Sequence, residues 1–321
     1  MDERREMDRS RPLPPRDERI REVADALGEP LSWQLLPDGK TVREAQLPSR
    51  RRVIECVEEL RGVLFPGYFG YREFGRQTIT HHVGAALERV SQVLALEIAH
   101  AAQYTAGQEY GRAYADPQDV GRIVDEFIAS LPEIRRLLTL DCRACYEWDP
   151  AAFIPEAPVF CYPNMLAMMN FRLAHELYVR RVPFIPRIIT EHAHNITGID
   201  IHPGATIGES FFIDHGTGVV IGQTAVIGDR VRLFHGVTLG TKNFPLDEAT
   251  GRPRKGYDRH PIVEDDVVIY AEATILGRVT IGARSIIGAN VFIARSVPPD
   301  SKVFTAPVRI GKRKDDLLVD A

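Results

Sequence analysis

The stretch from Ile201 to Leu239, IHPGATIGESFFIDHGTGVVIGQTAVIGDRVRLFHGVTL, returns to an aliphatic residue every sixth position. Aliphatics stand at Ile201, Ile207 and Ile213, then after one two-residue slip at Ile221, Ile227, Leu233 and Leu239. Beyond an interruption the beat resumes at Val263, Ile269, Ile275, Ile281, Ile287 and Ile293. Glycine often follows, and a small or branched residue sits four places on, as at Ala205, Thr217, Ala225, Val237, Ala273, Ser285 and Val291. Neither a helical period of about 3.6 nor a strand period of about 2 produces this pattern. A six-residue repeat predicts a parallel β-helix, each six residues forming one flat side and each aliphatic stacking inward on its equivalents. Most of these residues are therefore scaffold, and function must come from residues the repeat does not require.

With 321 residues the chain exceeds one average domain, and two domains are expected. A net charge of -4 and 26% charged residues speak against a nucleic-acid binder. The sequence shows no apolar run near about 18 residues and no secretory leader, and its four cysteines are too few for a disulfide framework, so a cytoplasmic protein is expected. Residues 1–17, rich in Arg, Asp, Glu and Pro, read as a disordered arm, and 18–189 as a helical domain. Asp116-Pro117 reads as a helix start and Ile79 to Ala101 carries one apolar stripe; a further helix runs from Asn164 to Arg181 and stops at Val182-Pro183. The β-helix is assigned to 190–297 with a loop at 241–262, and 298–321 is a C-terminal segment. Overall this is an α+β chain, helices first and solenoid second.

Several strings stand out within this frame: Phe171-Arg172-Leu173-Ala174-His175, Gly198-Ile199-Asp200-Ile201-His202-Pro203, Ile213-Asp214-His215-Gly216-Thr217-Gly218, Gly236-Val237-Thr238-Leu239-Gly240 and Asp258-Arg259-His260-Pro261. In this order, from about Asp149 to Lys312, they resemble the serine O-acetyltransferases. The resemblance implies a left-handed β-helix that trimerises, with two trimers commonly joined into a hexamer through the helical domains. It implies acetyl transfer from acetyl-CoA to L-serine for cysteine biosynthesis, with homoserine as the alternative acceptor. No cofactor beyond the acetyl-CoA co-substrate is expected, and no metal.

Acyl transfer to an alcohol needs a base for the hydroxyl proton and donors for the oxyanion. His215 is the expected base, because it sits at the slip, where the side chain should tilt out of the stack. Asp200, fifteen residues earlier, is expected to orient the imidazole. The resemblance makes these two a catalytic dyad and adds His260, with direct transfer and no acyl-enzyme. It also gives Asp149 and Asp214 to the serine ammonium, and Arg259 and His260 to its carboxylate, for which a guanidinium is the suited partner. Without a ligand, Asp149 before Pro150 would read as a helix N-cap.

For acetyl-CoA, Gly240, Thr241, Ala271, Arg309 and Lys312 are the expected contacts, in a groove between neighbouring β-helices that brings His215 and His260 together from different chains. The loop carries Lys242, Arg252, Arg254, Lys255 and Arg259, suited to CoA phosphates or to closing over a ligand. Gln223 stands where many members have Glu. Leu317 to Ala321 lacks the long Ile-terminated tail by which several members dock O-acetylserine sulfhydrylase, so that partner is a secondary expectation, as is a purely scaffolding role. The histidines do not show the HxxxxH spacing of a γ-type carbonic anhydrase, and the lone Cys142/Cys145 pair reads as packing.

Overall fold

The computed structural model describes residues 15–28, 46–69, 76–106, 113–248 and 250–306. Two compact units result, residues 1–47 and 48–321. In the first, α1 (Arg16–Gly28) begins inside the span read as a disordered arm, the rest of which lies outside the described residues.

Among the described residues the second unit opens with six helices: α2 (Arg50–Leu64), α3 (Arg76–Thr105), α4 (Val120–Trp148), α5 (Ala157–Cys161), α6 (Pro163–Val179) and α7 (Ile185–Thr197). Asp116 caps a 3-10 turn over Pro117–Asp119, accepting from the Gln118 N–H at 2.8 Å, so α4 starts three residues later than the Asp-Pro signal suggests. The helices run on to Thr197, past position 189, because Gly198 at φ +70° supplies the left-handed C-cap that ends α7.

From Asp200 the chain winds as a three-sided solenoid. Its first coil is β1 (Asp200–Ile201), β2 (Thr206–Ile207) and β3 (Phe212–Asp214); the second is β4 (Val220–Ile221), β5 (Val226–Ile227) and β6 (Arg232–Phe234). The third is β7 (Thr238–Gly240), β8 (Ile262–Val263) and β9 (Val268–Ile269), and the fourth β10 (Thr274–Leu276), β11 (Thr280–Ile281) and β12 (Ile286–Ile287). β13 (Phe292–Ile293) and β14 (Lys302–Val303) close the stack. Three parallel sheets follow, β1-β4-β7-β10-β13, β2-β5-β8-β11 and β3-β6-β9-β12-β14.

Every aliphatic of the six-residue series is buried, from Ile201 at 3% to Ile293 at 5%, and Leu233, Ile269 and Ile275 are sealed completely. One small position differs from the reading. Thr217 is exposed and Val219 fills the inward slot, because the two slip residues bulge outward ahead of it. Register makes the slip visible: Asp200 pairs with Val220, twenty residues on, whereas Val220 pairs with Thr238, eighteen on.

Helices and solenoid share one core, cross-linked by a buried ion pair. Arg172 of α6 donates from Nε and Nη2 to Asp141 of α4 at 2.7 and 2.9 Å, and from Nη2 to the Gly208 carbonyl at 2.8 Å. Asp141 also accepts from the Phe211 N–H at 3.0 Å. Helix α4, helix α6 and the first coil are thus held at one point.

Candidate active site

The three sheets meet at three edges, and the expected site residues of the described solenoid fall on two of them. The first edge carries the turns from β3 to β4, β6 to β7 and β9 to β10, and His215 lies on the uppermost. Its backbone takes φ +55°, a conformation uncommon for a residue with a Cβ. Gly216 follows at φ +88°, where a Cβ would stand 2.4 Å from Ile199 Cδ1. The slip thereby turns the imidazole outward, leaving it 78% exposed with Nε2 3.8 Å from an Asp214 carboxylate oxygen. His235, at the next turn of this edge, presents its ring edge-to-face at 6.2 Å.

Asp149 lies on the helical side, where α4 ends. It is the C-cap of α4 and not a helix N-cap: Oδ1 accepts from the Ala151 N–H at 2.8 Å and Oδ2 from the Tyr162 hydroxyl at 2.5 Å. That carboxylate pushes the Tyr162 phenol up to about 12, keeping it a donor. The end of α4 and the start of α6 each contact the coil here. Asn164 Nδ2 donates to the Ile213 carbonyl at 2.8 Å, and the Arg232 guanidinium lies 3.6 Å over the Trp148 ring, with Arg232 paired to Phe212 across the sheet.

Asp200 sits at the same corner, since the Gly218 N–H donates to the Gly198 carbonyl at 2.9 Å, and among the described residues no hydrogen bond or ion pair joins its carboxylate to His215. Among the described residues its ion-pair partner is Arg187, at 3.7 Å. Glu191, His194 and Asp200 bring ligand-type atoms within 4.8 Å of one another, but Arg187 pairs with two of the three. A salt-bridge network accounts for that cluster.

The second edge carries the turn from β4 to β5, the loop from β7 to β8 and the turn from β10 to β11. Here Arg259 Nη2 donates to Gln223 Oε1 at 2.8 Å, and Gln223 Nε2 donates to the Tyr178 hydroxyl at 2.9 Å. The neutral Gln thus aims the guanidinium without neutralising it. It faces a cleft of about 970 Å³ walled by Tyr178, Phe184, Phe244 and the loop's Arg252, Arg254 and Lys255. His260 is 6% exposed, and its imidazole lies against Gly222, where a Cβ would come within 1.9 Å of Cδ2. Burial, with Arg259 and Arg278 beside it, lowers the His260 imidazole to about 4, so the ring is neutral near pH 7.

Gly240 and Thr241 leave β7 at this second edge, whereas Ala271 lies at the first, where the Glu272 N–H bonds to the His235 carbonyl. Arg309 and Lys312 lie outside the described residues. Among the expected residues, Asp214 and His215 therefore lie on one edge and Arg259 and His260 on another. Among the described residues none of the first group lines the cleft of the second. Thr224, Gly222 and Tyr162, which position these groups, carry no motif of their own; Gly222 alone is signalled, by its place in the six-residue beat. Cys145 is buried and accepts from Asn164 at 3.1 Å, and Cys142 lies near the Pro155 carbonyl; both are free thiols that burial pushes up.

Residues 260–295 match the bacterial transferase hexapeptide family (six repeats). Over 296 residues the chain is 45% identical to a plasmid-borne serine acetyltransferase of Synechococcus elongatus, covering 91% of each. A serine acetyltransferase of Mycobacterium tuberculosis is 45% identical over 170 residues, 53% of this chain and 70% of that one. Among solved structures, Entamoeba histolytica serine acetyltransferase 1 in complex with L-cysteine superposes with a TM-score of 0.67 at 34% identity, covering 81% and 88% of the two chains. The Neisseria gonorrhoeae serine acetyltransferase in complex with serine gives 0.51 at 26% identity, covering 83% of this chain and 98% of that one.

Proposed function

The chain belongs to the serine acetyltransferases, and we infer from this that it acetylates the hydroxyl of L-serine, an acyltransferase step in cysteine biosynthesis. Acetyl-CoA is the donor and no further cofactor takes part. The working unit is a trimer, in which the His215 edge of one left-handed β-helix faces the Arg259 edge of its neighbour. The observation that carries this reading is the split site. His215 projects from one edge beside Asp214, while the guanidinium held by Gln223 faces a cleft on another.

In this arrangement Arg259 receives the serine carboxylate, and Asp149 and Asp214 receive the ammonium. His215 takes the proton from serine Oγ as the oxygen attacks the thioester carbonyl. Collapse of the tetrahedral intermediate breaks the C–S bond, and the CoA thiolate leaves with the proton held by His215. Gly240, Thr241 and Ala271 border the groove between chains that takes the CoA arm, with Arg309 and Lys312 toward its nucleotide. No described helix is long and apolar enough to cross a membrane, and the biosynthetic role fits the cytoplasm.

The test is release of CoA thiol from acetyl-CoA with L-serine, L-homoserine or no acceptor, for wild type and His215→Ala. Serine-dependent release that falls at least about a hundredfold in the variant is expected for loss of a general base. No acceptor-dependent release from folded wild-type protein would leave only the scaffold role.

A further inference from the structure

His260 lies in a hydrogen-bond frame that fixes where its proton can be. The Thr224 hydroxyl accepts from two backbone donors, the Arg259 N–H at 2.9 Å and the His260 N–H at 3.1 Å. A hydroxyl has two acceptor sites and one proton, so the remaining contact, 2.9 Å to His260 Nδ1, is one in which Thr224 donates. The Thr224 backbone N–H points at the same nitrogen from 3.1 Å. With two donors converging on it, Nδ1 is an acceptor and cannot itself carry a proton. The other ring nitrogen has no protein partner among the described residues, and it is absent from the sealed, unsatisfied atoms of the core. Arg278 clamps the frame from outside, donating to the Thr224 carbonyl at 2.7 Å and the His260 carbonyl at 3.1 Å, and itself pairs with Asp258 at 3.3 Å.

We propose that Thr224 is a positioning residue that holds His260 neutral with its proton on Nε2, so that His260 acts as a hydrogen-bond donor to an anionic oxygen of the substrate and takes no proton. The charged groups around the ring, Arg259 and Arg278, favour the same neutral state, and Asp258 is engaged by Arg278. Proton transfer then belongs to the other half-site alone. The serine Oγ proton passes to His215, while the His260 N–H bond stays intact throughout the cycle. This rests on the acetyl-transfer reading for its catalytic meaning but not for its structural content.

Two measurements decide it. Long-range ¹H–¹⁵N NMR of the full chain without ligands, with His260 assigned by its loss in His260→Gln, reads the tautomer directly. The expected result is a neutral Nε2–H ring that stays neutral at pH 5.5. In Thr224→Val the ring titrates closer to the ordinary histidine range, and in Thr224→Ser it behaves as wild type. An Nδ1–H ring or an imidazolium in the wild type, or a Val variant that titrates like wild type, overturns the proposal.

The kinetic arm compares His260→Gln, whose amide can present a donor near the Nε2 position, with His260→Ala. Retention of kcat/KM within about tenfold in Gln, against a loss of at least about a hundredfold in Ala, is the expected split for a donor. Equal losses in both folded variants would mark His260 as a proton acceptor and overturn the role. A wild type without acceptor-dependent turnover would overturn the acetyl-transfer reading instead, leaving the tautomer to the NMR arm.

Discussion

Gly222 shows how little space separates a working side chain from a displaced one. The imidazole of His260 occupies the volume that any larger residue at 222 would need. Gly222→Ala is therefore expected to fold, since residue 222 does not require a positive φ, but to lose serine acetylation at least about tenfold by moving the ring. Retained activity with an unmoved histidine signal would refute this. The same ring gives a pH signature. In the unfolded chain His260 takes up a proton near 6.5, whereas in the fold it does so only near 4. Between these values the unfolded state binds more protons, so this group costs nothing above pH 6.5 and destabilises progressively as pH falls toward 4. Urea midpoints at pH 7 and 4.5 should drop further for wild type than for His260→Gln. An equal drop would show that His260 is not the source.

At the scale of elements, the solenoid was legible because each inward position sees the same environment, so burial repeats with the beat from Ile201 to Ile293. The helices were legible as helices from their apolar stripes, but their attachment to the coil was not. Arg172 stood out only as part of the Phe171-to-His175 string, yet its partner is Asp141, thirty-one residues back on α4, a pairing that no local pattern announces. Asp200 has a contact of the same kind: α7 brings Arg187 to within 3.7 Å of its carboxylate, a pairing that position along the coil does not announce. The Arg172–Asp141 pair is expected to carry heavy cost when halved. Arg172→Met leaves a carboxylate with 0% exposure unpaired and should destabilise by about 3–5 kcal/mol, while adding Asp141→Leu should recover much of it. Denaturant unfolding of both variants checks this; a single-variant cost below about 1 kcal/mol would mean that water reaches the site.

On the scale of the whole molecule, the proposed division of the site between two edges has a consequence that no single chain can show. The loop hides it from the sequence: Thr224 and His260 touch across thirty-six residues because the excursion between β7 and β8 interrupts the count of coils. In the proposed trimer each complete site takes His215 from one copy and Arg259 with His260 from the next. A variant lacking His215 spoils one half of every site, and a variant lacking Arg259 spoils the other. Each homotrimer is then inactive. In a mixed trimer of His215→Ala and Arg259→Ala chains, one of the three junctions pairs an intact His215 edge with an intact Arg259 edge. Co-refolding equal amounts should restore activity to roughly a quarter of wild type, because such a junction requires one particular variant on each side and random mixing supplies it at about one in four. Mixing the two without unfolding should restore nothing if the trimers do not exchange. Were each site built within one chain, co-refolding would give no recovery at any ratio, so this experiment separates a shared site from a self-contained one.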